Sequence, residues 1–173
     1  SFVGFNVGKP ENKLGIRSSD TTELFFDNVK VPKENLIGNE GDGFRIALVT
    51  LDAGRIGIAS QALGIAQASL EASIKYSKER KQFGKPISSN QGIQFKLSNM
   101  GIEIESARLL IYKASWLKNE GKPFGHIASM AKVYASEVAM RASIDCVQIH
   151  GGYGYIKETG VERLMRDAKI TQI

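Results

Sequence analysis

The sequence has little cysteine and little histidine. Cys146 is the only cysteine among 173 residues, so no internal disulfide can form, and we expect it to be a small buried side chain on a helix. The two histidines, His126 and His150, do not combine with Cys146 at any spacing typical of metal ligands. The sequence therefore predicts no metal site.

Long hydrophobic runs and a one-sided charge distribution are also missing. No segment approaches the roughly 18 consecutive apolar residues that indicate a membrane span, and no leader-type segment opens the sequence. The formal net charge of +5 comes from basic residues scattered among acidic ones, without the aromatic-studded basic stripe of a nucleic-acid binder. We therefore expect a soluble protein with no nucleic acid partner, and the charge suits a phosphate-bearing small molecule.

Proline is scarce in most of the sequence, which favours helices. Only Pro86 and Pro123 lie beyond residue 38, each between segments of helical periodicity that predict helices at about 42–80, 90–119, 126–149 and from about 159 onward. Two short stretches before residue 38, 23–26 and 28–31, are typical of strands. The predicted fold class is mainly α, with an up-and-down four-helix bundle in residues 39–173, preceded by the last strands of a β domain in residues 1–38.

The first predicted helix combines an apolar face with mid-helix glycines. The apolar positions recur at three- and four-residue steps: Phe44, Leu48, Leu51, Ile58, Ala62 and Ile65. Each mid-helix glycine costs about 1 kcal/mol relative to alanine, and the helix contains Gly54, Gly57 and Gly64. Two interpretations stay open: the glycines allow close packing on a neighbouring helix, or a ligand lies along the helix beside Asp52 and Arg55.

Two turns contain groups that suit a phosphate or an aromatic ring, and both also suit the end of a helix. Arg80 can hold a pyrophosphate through two hydrogen bonds while Phe83 packs on a ring, or these residues form a helix-ending turn with Gly84 and Pro86. Residues 148–154 bring glycine amides that can approach a phosphate or cap the third helix. Neither a Gly-x-Ser-x-Gly nucleophile turn nor a complete dinucleotide fingerprint accompanies them.

Six motifs follow one another in an order that resembles the acyl-CoA dehydrogenase family. They are Lys-Leu-Gly-Ile-Arg-Ser-Ser at 13–19, Asp-Asn-Val-Lys-Val-Pro at 27–32, Leu-Asp-Ala-Gly-Arg at 51–55, Arg-Lys-Gln-Phe-Gly at 80–84, Gln-Ile-His-Gly-Gly at 148–152 and Arg-Asp-Ala-Lys-Ile-Thr at 166–171. Each motif is weak alone, but together they span nearly the whole sequence apart from residues 1–5. The resemblance implies an N-terminal helical domain, a middle β domain and a C-terminal four-helix bundle, of which this chain holds the last strands and most of the bundle.

The resemblance also implies which residues contact ligands and partners. The ADP part of FAD is expected to contact Arg80, Phe83 and Gln91. A flavin bound mainly by the neighbouring subunit, at a dimer interface, is expected to contact Gln148, Ile149, His150, Gly151 and Gly152. The acyl-CoA site is expected to be lined by Asp52, Ala53, Gly54 and Arg55. The implied partners are an electron-transferring flavoprotein and further copies of the chain, arranged as a dimer of dimers.

The implied activity is oxidation of a short-chain acyl-CoA to a trans-2-enoyl-CoA, in which a carboxylate removes the α-proton and a β-hydride passes to FAD. In short- and medium-chain relatives that glutamate follows an Ile-Thr-x-Ile segment, which here ends at Ile173. Branched- and long-chain relatives place it where this sequence has Gly54. We therefore expect the short-chain type, no catalytic residue within the chain, and no activity of the chain alone.

The alternatives are a non-catalytic or oxidase relative and a helical interaction module. The expected location is the cytoplasm in a bacterium and the mitochondrial matrix in a eukaryote.

Overall fold

Three long helices make up most of the computed structural model, which describes residues 2–173. They are α1 (Gly43–Glu79), α2 (Gln91–Asn119) and α3 (Gly125–His150). Two shorter helices follow, α4 (Gly152–Tyr155) and α5 (Val161–Ala168), and a 3-10 turn, Lys169–Gln172, continues α5. The predicted mainly α class is confirmed, and the periodicity located the three long helices to within a residue or two. The short helix α4 was not predicted, and α5 ends at Ala168 rather than continuing as an α-helix.

The long helices run up, down and up. Residues in the N-terminal half of α2 pair with residues in the C-terminal half of α3: Lys96 with Asp145, and Glu103 with Arg141 at 3.2 Å. These two helices are therefore antiparallel. Residues near the C-terminal ends of α1 and α3 are in contact, since Tyr76 stacks on His150. As α1 and α3 are parallel, their C-terminal ends lie side by side.

The core lies among α1, α2 and α3, with Met100, Ile104 and Ile111 as the large side chains of α2, and small side chains fill the contact between α1 and α3. The buried side chains of α3 include Ala128, Ala131, Ala135, Ser136, Val138, Ala139, Ala142, Ser143 and Cys146. Those of α1 are mostly alanine and serine, and the buried hydroxyls donate back along the helix, as from Ser73 to the Ser69 carbonyl at 2.7 Å. This pairing satisfies buried polar groups while letting the helices approach closely. Cys146 is fully buried, as predicted.

The apolar face predicted for α1 is buried by this chain only in its second half. Ala62 is fully buried, whereas Phe44, Leu48 and Leu51 are 77%, 48% and 57% exposed. The first turns of α1 are therefore a large apolar surface without cover among residues 2–173. By length and composition α1 is also the one helix in this range that could cross a membrane, even though the sequence lacks a long uninterrupted apolar run.

The N-terminal segment forms a two-stranded antiparallel sheet. Strand β1 (Phe5–Val7) pairs with β2 (Leu24–Phe26), with Phe5 opposite Phe26. The strand predicted at 23–26 is confirmed, but the one predicted at 28–31 is wrong. Asn28 has a φ of 49°, a left-handed conformation that interrupts the extended backbone directly after β2.

The chain leaves α1 through a tight β-hairpin. Strands β3 (Lys81–Gln82) and β4 (Lys85–Pro86) are joined by Phe83 and Gly84, whose φ angles are 52° and 79°. Two consecutive positive φ angles are typical of a two-residue hairpin turn. The helix therefore ends before this turn, as one interpretation of the sequence proposed, and Pro86 lies in a strand rather than directly ending the helix.

Candidate functional site

An open pocket of about 480 Å³ lies where the adjacent ends of α1 and α3 meet α4. Five of the residues predicted to contact a cofactor line it: Arg80, Ile149, His150, Gly151 and Gly152. They converge because α1 and α3 run parallel, which brings the residue after α1 next to the glycines after α3. The structure thus joins two motifs that are far apart in sequence.

Arg80 supplies the positive charge of this pocket. It leaves α1 in an extended conformation, and its backbone N–H donates to the Tyr76 carbonyl at 2.8 Å. Its guanidinium lies 5.6 Å from the centre of the Tyr153 ring. No carboxylate in residues 2–173 forms an ion pair with Arg80. Its hydrogen-bond donors are therefore available to an anion.

The wall of the pocket beside Arg80 is a pair of stacked rings. The Tyr76 and His150 rings lie 4.2 Å apart between centroids with 24° between their planes. His150 Nδ1 lies 2.8 Å from the Cys146 carbonyl oxygen, which fixes the imidazole against α3. Burial raises the pKa of the Cys146 thiol, and a hydrogen bond with Ser73 opposes this only in part. The thiol is therefore protonated at neutral pH and is a packing group rather than a nucleophile.

The three glycines of this segment have different structural roles. Gly151 has φ 59° and ψ −135°, a conformation that a side chain rarely adopts. A Cβ on Gly152 would meet nothing within 4 Å, so the backbone there is open to a ligand. A Cβ on Gly154 would lie 2.3 Å from the Val147 carbonyl oxygen, so this glycine is required for packing α4 onto α3.

Three residues predicted to contact the cofactor lie outside the pocket. Phe83 is 98% exposed at the tip of the hairpin, Gln91 is the exposed first residue of α2, and Gln148 is exposed on α3. The chain itself does not bring them to Arg80, so their cofactor contacts stay predictions from the resemblance.

The sequence analysis missed two aromatic residues of the pocket, Tyr76 and Tyr153. Tyr76 lies one helical turn before Arg80, and this four-residue spacing is a signal that could have placed both side chains on the same side of α1. Tyr153 lies within the glycine motif, but only the folded chain shows that its ring reaches Arg80.

The predicted substrate residues lie near the other end of the bundle, about 40 Å along α1 from Arg80 at 1.5 Å per residue. Arg55 Nη1 donates to Asp52 Oδ1 at 2.5 Å. The Asp52 carboxylate abuts the start of α3, because a Cβ on Gly125 would lie 2.6 Å from Asp52 Oδ2. Ala53 is half-buried and Gly54 is exposed beside this pair.

The glycines of α1 are not explained by helix packing within the described chain. A Cβ added at Gly54, Gly57 or Gly64 would meet nothing within 4 Å. For residues 2–173 the close-packing interpretation is therefore wrong, and these glycines leave an open strip along α1. The interpretation in which a ligand lies along the helix stays open.

The fold and the pocket define a class of protein: a helical-bundle domain whose adjacent helix ends form a site suited to a phosphate-bearing nucleotide. Residues 41–173 match the family model described as "Acyl-CoA dehydrogenase, C-terminal domain". The chain belongs to the acyl-CoA dehydrogenase family, a family of FAD-dependent oxidoreductases.

Curated relatives and solved structures agree on this family. The chain is 59% identical over 170 residues to the short-chain-specific acyl-CoA dehydrogenase of Megasphaera elsdenii, covering 98% of this chain and 44% of the relative. It is 54% identical to the mitochondrial short-chain-specific enzyme of Mus musculus, covering 98% and 41%. Butyryl-CoA dehydrogenase from Megasphaera elsdenii superimposes with a TM-score of 0.98 at 58% identity, covering 100% and 45%. The chain thus spans less than half the length of these relatives.

A further structural match is to a chain in a flavoprotein structure. A chain in the structure described as the electron transferring flavoprotein of Acidaminococcus fermentans has a TM-score of 0.99 and 57% identity, covering 100% of this chain and 46% of that one.

The pocket residues fit the ADP part of FAD. The unpaired guanidinium of Arg80 suits a diphosphate, and the open backbone at Gly152 allows close approach. Tyr76, Tyr153 and Ile149 give the walls an apolar and aromatic character that suits a base or ribose. Among residues 2–173 no group of three potential metal ligands is present.

Proposed function

We propose that this chain is part of a flavoenzyme that oxidises short-chain acyl-CoA to trans-2-enoyl-CoA. The observation that carries the proposal is the convergence of Arg80 with the open backbone of Gly151 and Gly152 in one pocket. The high identity to relatives named as short-chain specific supports the chain-length class. When bound, FAD supplies the acceptor for the substrate hydride.

In this proposal the chain contributes binding and orientation rather than the catalytic base. Arg80 holds the diphosphate of FAD through its free guanidinium donors, and Tyr153 keeps that guanidinium at the pocket. Ile149, His150, Gly151 and Gly152 form the adjoining wall. Phe83 and Gln91 extend the contact with the ADP part of FAD, and Gln148 contacts a flavin bound mainly by the neighbouring subunit, as the family resemblance implies.

The acyl-CoA is proposed to lie along the open strip of α1. Gly54 leaves room for it there, and the neighbouring Asp52–Arg55 pair offers both an acceptor and donors. Ala53 completes the proposed set. Because no carboxylate occupies position 54, we propose that the base lies outside this chain and that the chain alone is inactive.

Residues 1–38 are proposed to belong to a β domain and residues 39–173 to the bundle domain. The exposed aromatic side chains of β2, Phe25 and Phe26, are 51% and 68% exposed. A two-stranded sheet with such apolar surface is not stable alone. Further strands of the same domain would cover this surface. The exposed apolar residues at the start of α1 would likewise be buried by a partner surface.

We propose that the protein is a homo-oligomer, a dimer of dimers, with α2 at an interface. Four exposed apolar residues lie at seven-residue intervals along α2: Phe95, Ile102, Leu109 and Trp116. A seven-residue apolar repeat is typical of a helix that packs lengthwise on another helix. In an antiparallel pair of α2 helices, Phe95 would face Trp116 and Ile102 would face Leu109, which is self-complementary as a two-fold interface requires.

The proposed electron acceptor is an electron-transferring flavoprotein, a partner supported by the similarity to a chain from the Acidaminococcus fermentans structure. Relatives occur in bacteria and in mitochondria. We propose the cytoplasm as the location if the source is bacterial, and the mitochondrial matrix if it is eukaryotic.

The experiment that tests this function is an anaerobic flavin absorbance spectrum of the complete parent protein, purified with its flavin, before and after addition of butyryl-CoA. Bleaching of the flavin is expected. Bound flavin that does not bleach would favour a non-catalytic or oxidase relative, and the absence of flavin after reconstitution with FAD would favour a helical interaction module.

A further inference from the structure

The imidazole of His150 is held in a defined tautomer. Its Nδ1 lies 2.8 Å from the carbonyl oxygen of Cys146, and a carbonyl oxygen only accepts hydrogen bonds. Nδ1 must therefore carry the proton, and in the neutral ring Nε2 is an acceptor. The stacking on Tyr76 holds the plane of the ring, and the contact with the Cys146 carbonyl oxygen sets its tautomer.

Nε2 is the free end of this ring, because His150 makes no hydrogen bond through it to any residue in the range 2–173. No side-chain nitrogen or oxygen in this range is both buried from solvent and without a partner, so Nε2 must reach solvent. His150 is only 7% exposed and lines the pocket. The small exposed part of the ring therefore includes its acceptor nitrogen, and His150 is one of the residues that line the pocket.

We propose that His150 is a specificity-determining residue, whose Nε2 accepts a hydrogen bond from an O–H or N–H group on the adenosine part of the bound nucleotide. The inference rests on the proposed FAD site and adds a second kind of recognition to it. Arg80 supplies donors and reads the charge of the diphosphate, whereas Nε2 supplies an acceptor and reads a hydroxyl or amino group. Together they distinguish a nucleotide from a simple phosphate.

The first test compares two variants at position 150 in the apoprotein prepared from the holoprotein. His150→Phe keeps a ring to stack on Tyr76 but removes both nitrogens, and His150→Gln places an amide near the position of Nε2. Titration with FAD is followed by flavin fluorescence. One lost hydrogen bond is worth about 1 kcal/mol, so His150→Phe is expected to raise the Kd about fivefold. His150→Gln should recover most of this loss.

The second test varies the ligand and does not require that any variant folds. The probes are ADP, 2′-deoxy-ADP, 3′-deoxy-ADP and the diphosphate of purine riboside, each competing with FAD. One analogue should bind the unaltered protein about fivefold more weakly than ADP, because it lacks the donor that Nε2 reads. For this same analogue, His150→Phe should cause no further loss.

Each outcome decides between the proposals. If the unaltered protein and His150→Phe bind FAD equally tightly, the role of His150 is overturned while the FAD site stands. The same conclusion follows if His150→Phe weakens the binding of every analogue by the same roughly fivefold factor as it weakens the binding of ADP. Binding of neither FAD nor ADP by the unaltered protein overturns both.

Discussion

The guanidinium of Arg80 lies 5.6 Å from the centre of the Tyr153 ring, so the residue that follows α1 is joined to α4 across the pocket. The contact gives Arg80 a preferred position although no carboxylate holds it. A cation over an aromatic ring keeps its in-plane N–H donors free, whereas a salt bridge would occupy them. The pocket therefore has a positioned but unneutralised positive charge.

We expect Arg80→Ala to cause a large loss of FAD affinity and Tyr153→Ala a smaller one. A cation–π contact at an exposed site is worth about 0.5–1 kcal/mol, which corresponds to a roughly two- to fivefold rise in Kd for Tyr153→Ala. Tyr153→Phe keeps the ring and should bind FAD normally. Titration of the apoprotein with FAD measures all three.

Cys146→Ser is the control for these pocket variants, because Cys146 is fully buried and does not line the pocket. It should retain FAD. Equal FAD retention by Arg80→Ala and Cys146→Ser would contradict the assignment of Arg80 to the cofactor site.

Gly125→Ala should weaken substrate binding more than it weakens the fold. The new Cβ would lie 2.6 Å from Asp52 Oδ2, the end of a side chain that can rotate away. Rotation breaks the 2.5 Å contact between Asp52 and Arg55. Because both side chains of this pair are partly exposed, its loss should cost the fold at most about 1 kcal/mol. The proposed acyl-CoA site loses an oriented Asp52, so we expect the KM for butyryl-CoA to rise several-fold with little change in Tm.

Gly101→Ala is the matched control for Gly125→Ala. It also lies in a long helix, but its Cβ would meet nothing within 4 Å. Alanine is favoured over glycine within a helix by about 1 kcal/mol, so Tm should rise or stay unchanged and KM should not move. An unchanged KM in Gly125→Ala as well would remove Asp52 from the proposed substrate site.

Gly152→Ala and Gly154→Ala should fail in different ways. At position 154 the Cβ would lie 2.3 Å from the backbone oxygen of Val147, which cannot rotate away, and overpacking of this kind costs about 1–3 kcal/mol. At position 152 it would meet no protein atom. We therefore expect a lower Tm of the apoprotein for Gly154→Ala, and a normal Tm with weaker FAD binding for Gly152→Ala. A normal FAD affinity for Gly152→Ala would show that the ligand does not approach this backbone.

The sequence predicted the helices well because their periodicity is a local property. It predicted the pocket only in part. Arg80 and His150 were both singled out, but the stack of Tyr76 on His150 depends on α1 running parallel to α3, which neither segment specifies alone. The resemblance to a family assigned both motifs to flavin contacts, but only the folded chain shows that they line one pocket.

Features that depend on distant partners were predicted least well. Strand β1 was missed because it exists through pairing of Phe5 with Phe26, a contact between segments that are both short and irregular. The face of α1 was found correctly as a pattern, but its exposure at Phe44 shows that a pattern of apolar residues does not say what covers them. The packing explanation for Gly54 failed for the same reason, since spacing alone does not identify the neighbour.

The link between the N-terminal segment and α5 should weaken in acid. Arg166 binds Glu162 through contacts of 2.6 and 3.1 Å and donates to the Leu14 carbonyl at 2.9 Å. The hydrogen bond from Arg166 holds the pKa of Glu162 below its usual value of 4.5. A carboxyl whose pKa is lower in the folded state stabilises the fold above its unfolded pKa and loses that contribution as the pH falls through its folded pKa.

Glu162→Gln should therefore lower Tm at neutral pH and reduce the loss of Tm below about pH 4.5, because the amide does not titrate. Thermal unfolding of both proteins between about pH 7 and pH 3 gives the difference in Tm between them at each pH. The other carboxyl groups titrate in both proteins, so their contributions to this difference cancel. Parallel Tm curves for the two proteins would contradict the stabilising role of the Glu162–Arg166 pair.

The apolar stripe on α2 gives a direct test of assembly. Ile102 and Leu109 are its two central residues and are 66% and 60% exposed. Ile102→Lys and Leu109→Lys place a charge where the proposed two-fold contact would desolvate it, which is strongly unfavourable without a partner. We expect both variants to give smaller assemblies by sedimentation at equal concentration. Ser60→Lys, which adds the same charge at an exposed site on α1, should assemble normally. An unchanged mass for both α2 variants would show that this stripe is not an interface between copies of the protein.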